Sequence, residues 1–111
     1  MSTVEGNIVI PSQAHTVNAA RAAVRIRDIT YSDAPELISE RLMVIDVAPG
    51  TPVPFSIDVP DNRFSGTPTL NLEVHIDLDG SGNFSPGDLV SMQPHRILPD
   101  TRRIDVPVSL V

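Results

Sequence analysis

Residues 77–88, DLDGSGNFSPGD, place oxygen-bearing side chains at alternate positions around glycines. A hard cation such as Ca2+ takes six to eight oxygens at about 2.3–2.6 Å, and a short loop can supply them when a glycine allows a sharp turn. The twelve-residue calcium-loop template draws ligands from positions 1, 3, 5, 7, 9 and 12, with glycine at 6. Asp77, Asp79, Ser81, Asn83 (through its carbonyl), Ser85 and Asp88 fill those positions in order, Gly82 supplies the glycine, and Phe84 is the apolar residue that anchors such a loop. Asp88 is shorter than the glutamate usually found last, so closure by two oxygens is harder and affinity falls. The flanks, LNLEVHIDLDG and DLVSMQ, alternate as strands do. The expected site is therefore an EF-hand-like loop set between β-strands and holding Ca2+ weakly. The alternative is a plain hairpin turn, because glycine accepts positive φ and aspartate bonds its own backbone. A turn explains the glycines and one aspartate. It leaves unexplained the acids at Asp77, Asp79 and Asp88 combined with Phe84.

Other chemistry is sparse. His75 stands two residues before Asp77 on the same strand face, where it adds a polar neighbour to the loop, while His15 and His95 fall in apparent connections. No histidine is paired with a nucleophile at a recognisable spacing, and no Gly-x-Ser-x-Gly elbow occurs. The GSG of the loop is followed by neither a helix nor a lysine, so it is no phosphate loop. Asp28 and Asp33, flanking ITYS, suit turn hydrogen bonds better than acid–base work. A hydrolase would need Asp or Glu, His and Ser to converge in a cleft. That is the weakest of the functional readings, and the expectation is that the chain is not an enzyme.

The elements that position these residues follow a period of two. Val4, Gly6, Ile8 and Ile10 alternate with polar or exposed-type neighbours, as do Ala22, Val24 and Ile26, then Val53, Phe55, Ile57 and Val59, then Leu70, Leu72, Val74, Ile76 and Leu78, then Ile104, Val106, Val108 and Leu110. Side chains on a strand point to opposite faces in turn, so each segment can bury one face and wet the other, as antiparallel sheets do. Residues 36–47, ELISERLMVIDV, read as a strand with Ile38, Leu42 and Val44 inward, although Ser32 or Asp33 followed by Pro35 would also suit a helix start. Residues 88–98 read as a strand broken by Pro94. Pro54 and Pro107 lie inside strand patterns and belong on edge strands or at bulges, since proline cannot donate to a ladder. Together these segments predict one domain over 1–111, an all-β antiparallel sandwich of about seven strands.

Composition narrows the partners. Eight basic residues, all arginine, against fourteen acidic ones give a net charge of −6, which repels phosphate backbones and argues against nucleic acid. Arg21, Arg25 and Arg27 read as a solvated strand face, since aromatic stacking groups are almost absent. There is no cysteine, hence no disulfide or thiolate metal site. No apolar run approaches the ~20 residues needed to span a bilayer. MSTVEGNIVIPSQ lacks the basic and long apolar segments of a signal peptide, so the chain as written is expected in the cytoplasm, or in the periplasm if a leader has been removed.

The order VEGNIVIP, AAVRIRDITYSDAPELISE, GTPVPFSIDVP and then a strand entering an Asp-Gly turn resembles the YbaY/YscW family of small bacterial lipoproteins, which includes type III secretion pilotins. The resemblance covers residues 4–110 and rests most on VRIRDITYSDAPE and VPFSIDVP. It implies an all-β sandwich and a non-enzymatic role, with pilotin members helping outer-membrane secretins to assemble. The chain lacks the signal peptide and lipid-bearing cysteine of that family and carries DLDGSGNFSPGD where relatives are expected to have a shorter turn. Two functions follow. One is a binding or chaperone-like domain, tuned by Ca2+ at 77–88, that takes a protein partner at a sheet edge or open face. The other is an accessory module whose loop is only a polar turn.

Overall fold

Alternation becomes strand almost wherever it occurs. The computed structural model describes every residue except Met1, Ser32, Ala34, Thr67 and 79–85. It contains β1 (Ser2–Val9), β2 (Val17–Asp28), β3 (Glu36–Val47), β4 (Pro52–Val59), β5 (Leu70–Asp77), β6 (Leu89–Val90), β7 (His95–Ile97), β8 (Val106–Pro107) and β9 (Ser109–Leu110), with a 3-10 turn at Asp61–Phe64. A three-stranded sheet in the order β4-β1-β8 packs on a larger sheet in the order β3-β2-β5-β6-β9, with β7 also pairing β5. The chain is an all-β sandwich. Its core joins Val4, Ile8, Phe55, Ile57 and Val106 of the small sheet to Val24, Ile26, Leu72, Ile76 and Leu89 of the large one. Each fully buried aliphatic side chain of this kind stabilises the fold by about 1.5–3 kcal/mol.

Two expected strands each divide, which turns about seven segments into nine strands. The 88–98 segment breaks before Pro94: β6 pairs with His75–Ile76 and β7 with Leu70–Leu72, both on β5. Between them Ser91 bridges the gap, its N–H donating to the Val74 carbonyl at 2.9 Å and its Oγ accepting the Val74 N–H at 3.0 Å. His95, read from sequence as part of a connection, therefore opens a short strand. The 103–110 segment changes sheets at Val108, with β8 pairing β1 and β9 pairing β6. The β1–β8 pair is parallel, so the sandwich is not purely antiparallel. Pro54 on β4 and Pro107 on β8 do lie on the two outer strands of the small sheet.

β3 forms as a strand, but its inward face differs from expectation. Leu42 and Val44 are 69% and 71% exposed, while Ile45 and Val47 are buried and Met43 packs against the core. The cause is a bulge. Ile26 pairs with Ser39 and Arg27 with Leu37, so Ile38 is an extra residue and the facing parity reverses there. Beyond it Arg41, Met43 and Ile45 oppose the inward Val24, Ala22 and Ala20. A second irregularity lies between Val17 and Ala20, where Ala19 adopts φ 59° and its N–H is held by Asp46 Oδ1 at 3.1 Å. A left-handed non-glycine residue costs roughly 1–2 kcal/mol, which the Asp46 bond helps to offset.

Gly6 occupies an inward β1 position for a different reason. Residues 102–104 cross directly over it, with Glu5 N–H donating to the Arg102 carbonyl and Ile104 N–H to the Glu5 carbonyl, both at 2.9 Å. A Cβ on Gly6 would lie 1.6 Å from the Ile104 carbonyl oxygen.

Candidate functional site

Two regions emerge from the sequence reading and the fold. The first is the base of the 77–88 loop. Asp77 ends β5 and is buried opposite Arg21 of β2, while Asp88 precedes β6 and is 1% exposed. Asp88 Oδ2 lies 2.9 Å from His75 Nε2, and its Oδ1 accepts the Leu78 N–H at 3.0 Å. Its carbonyl also accepts the Val111 N–H at 2.8 Å. Asp88 thus ties β5, the start of β6 and the end of β9 together. His75, singled out as a neighbour of the loop, is the buried partner of its closing aspartate. Asp79, Ser81, Asn83 and Ser85, the other expected ligands, lie outside the described residues. Among the described residues no three His, Cys, Asp or Glu side chains form a metal-holding group.

The second region was not named from sequence. β3 and β4 follow one another through Ala48–Thr51, where the Thr51 N–H donates to the Ala48 carbonyl at 3.2 Å and Gly50 takes φ 70°. Yet they belong to different sheets and stand at the outer edge of each. At the far end Ser39 Oγ donates to the Asp58 carbonyl at 2.6 Å. Between these two closures lies an open groove of about 450 Å³, lined by Arg41, Met43, Phe55, Gly6 and Arg103 among others. Pro52 and Pro54 remove two N–H donors from the β4 side. On the outer face of β3, Leu42 and Val44 stand opposite Ala23 and Arg21. The bulge at Ile38 creates this arrangement by setting Arg41, which stays exposed, and half-buried Met43 on the groove side and two aliphatic residues on the outer face. Sequence reading assumed an unbroken alternation, so it put Ile38 against the core, where it packs, but gave the opposite face to Leu42 and Val44.

The charges around the sheet are mostly paired. Arg25 meets Glu40 at 2.6 Å, Arg27 meets Glu73 at 2.5 Å and Arg63 meets Glu36 at 2.7 Å. The strip of arginines on β2 is therefore a solvated strand face, as read from sequence, with cross-strand partners for Arg25 and Arg27 and an exposed Arg21. Arg41 makes no ion pair within 4 Å among the described residues, and Arg103 stands 3.9 Å from an exposed Asp105. Asp28, expected to make turn bonds, accepts both the Thr30 hydroxyl at 2.6 Å and the Thr30 N–H at 2.9 Å. Those bonds, the hydroxyl first, hold its carboxyl below the usual carboxylate range. Burial pushes the His95 imidazole below its ordinary value.

No family model matches the chain, and no curated protein sequence matches it. Among solved structures it is similar to an alternative pilotin from the type II secretion system of Vibrio cholerae, with a TM-score of 0.81, 13% sequence identity, and coverage of 99% of this chain and 96% of that one. At that identity the likeness concerns the fold, and over almost the whole length of both chains the fold is pilotin-like.

Proposed function

We propose that the chain is a non-enzymatic, chaperone-like binding domain that holds a segment of a partner protein along the β3 edge of the sandwich. The observation that carries this reading is the exposure of Leu42 and Val44 on a twelve-residue strand that ends its sheet. An edge strand with unpaired backbone groups and outward aliphatic side chains is a template for an added strand, with the backbone giving affinity and the side chains selectivity. The pilotin-like fold and the sequence resemblance to the YbaY/YscW family both support a role in secretion, with a secretin as the partner. Assembly of a purified secretin from the same cell in lipid vesicles tests this. The chain should raise the yield of multimer, and Leu42→Lys combined with Val44→Lys should abolish the gain without changing the melting temperature. Equal yields with and without the chain refute it.

A second part of the proposal concerns the loop. Asp77, Asp79, Ser81, Asn83, Ser85 and Asp88 take Ca2+ weakly and the ion steadies the hairpin. Support comes from the two outer template positions, Asp77 and Asp88, which bracket the loop as the last residue of β5 and the residue before β6. Each Asp88 oxygen already accepts a hydrogen bond, Oδ2 from His75 and Oδ1 from the Leu78 N–H, so any ion at Asp88 shares those oxygens with the fold. Saturation at a hundredfold excess over the dissociation constant would add about 2.7 kcal/mol. Millimolar calcium should raise the melting temperature and move the Gly80 and Gly82 amide resonances. If neither changes, the loop is only a turn, and the domain needs no ion.

A further inference from the structure

We infer that the groove between the β3 and β4 edges recognises an acidic, apolar segment of the partner, with Arg41 and Arg103 receiving its carboxylates and Met43 and Phe55 its aliphatic side chains. This rests on the binding reading above and specifies the chemistry of what is bound. Charge decides the class. The chain carries fourteen acidic against eight basic residues, yet the groove brings together two guanidinium groups and one carboxylate, Glu5. Arg25, Arg27 and Arg63 are each within 2.7 Å of a glutamate, whereas Arg41 has no ion pair among the described residues. Arg41 is also placed unusually, on the inward parity of β3 between Ser39 and Met43, because of the bulge at Ile38. An inward charge on an edge strand discourages indiscriminate pairing. It also leaves a planar, five-donor group facing whatever enters, and that group matches a carboxylate well.

Size limits the occupant. The groove runs along β3 from Arg41 to Met43, two strand steps or roughly 7 Å, and is stopped by the Ser39–Asp58 bond at one end and the Ala48–Thr51 turn at the other. It therefore seats two or three side chains. Gly6 lines the groove, and the 102–104 segment that brings Arg103 to it crosses over Gly6. In the antiparallel register that places Leu42 against Val44 of a second copy of this chain, Glu40 would face Asp46, which disfavours that pairing.

Three capped hexapeptides, of alternating leucine with aspartate, asparagine or lysine, test this in titrations of the full chain followed by 15N NMR. The aspartate peptide should shift the amides of Gly6, Met43 and Phe55 and the Arg41 Nε resonance. The asparagine peptide should bind about tenfold more weakly, and the lysine peptide should leave these resonances in place. Arg41→Gln and Arg103→Gln should each weaken the aspartate peptide about three- to tenfold, with Arg41→Lys recovering part of the loss. Equal binding of the aspartate and asparagine peptides overturns the acidic preference while leaving edge binding intact. Shifts confined to Leu42 and Val44 do the same. No shift from any of the three peptides overturns both this inference and the edge-binding reading.

Discussion

Replacing Gly6 by alanine adds one methyl group where there is no room for it. The Cβ would start 1.6 Å from the Ile104 carbonyl oxygen and must reach at least 3.0 Å, and the obstructing atom is backbone, which cannot rotate aside. The 102–104 segment must therefore lift from β1. Lifting it strains or breaks the Glu5–Arg102 and Ile104–Glu5 hydrogen bonds, each 2.9 Å long. Overpacking costs about 1–3 kcal/mol and each lost bond about 1 kcal/mol, so the sum is about 3–5 kcal/mol. Against the roughly 5–15 kcal/mol expected for a domain of this size, that is about a fifth of the total or more. Far-UV circular dichroism should show a melting temperature lower by roughly 10–25 °C, with a matching fall in the urea midpoint. Ile104→Gly should not rescue it, because the clash is with a carbonyl and not with a side chain. If Gly6→Ala melts within ~2 °C of the parent, the close crossing over β1 is wrong.

Further outcomes follow from the same geometry. Leu42→Lys should change stability by less than about 0.5 kcal/mol while Ile45→Ala costs about 2–4 kcal/mol in urea denaturation; the reverse order would remove the bulge at Ile38. Asp88→Ala strips the acceptor from the Leu78 N–H and removes a hydrogen-bond partner of buried His75, and should cost about 1–3 kcal/mol for each buried group left unsatisfied, read by the same denaturation. Asp28 has its folded pKa lowered by Thr30, so its contribution to stability is present above the unfolded carboxyl value and is lost as pH falls through the folded one. Thr30→Val should move the Asp28 carboxyl titration, followed by carbon NMR, back up toward the ordinary value.

Much of the fold was legible because period two is a strong signal when one face is oily. Val4 and Ile8, Phe55 and Ile57, and Leu70 to Ile76 fell on the expected side. The edge positions of Pro54 and Pro107 and the turn bonds of Asp28 were legible too, since each follows from what the residue can or cannot donate or accept. β3 resisted because Met43, Val44, Ile45 and Val47 are apolar on both parities, so nothing local reveals that Ile38 is the extra residue. Only pairing with β2 settles the register. The groove was hidden for the same reason: the sequence does not reveal that the bulge sets the exposed Arg41 on the groove side of β3. The tie between His75 and Asp88 was half visible, from the nearness of His75 to the loop but not from any marker of burial at Asp88.

The position of β1 also shapes how the chain folds. It is the middle strand of its sheet, flanked by β4 and by β8, and its Asn7 N–H bonds to an Asp105 carboxylate 98 residues further along. A ribosome must therefore release the chain through Val106 before that sheet can close, and until then one flank of β1 stays bare. Folding with such distant pairings falls in the millisecond-to-second range rather than microseconds. Until β8 is made, β1 keeps one adhesive flank exposed, while Pro52 and Pro54 limit what can stick to β4 on its other side.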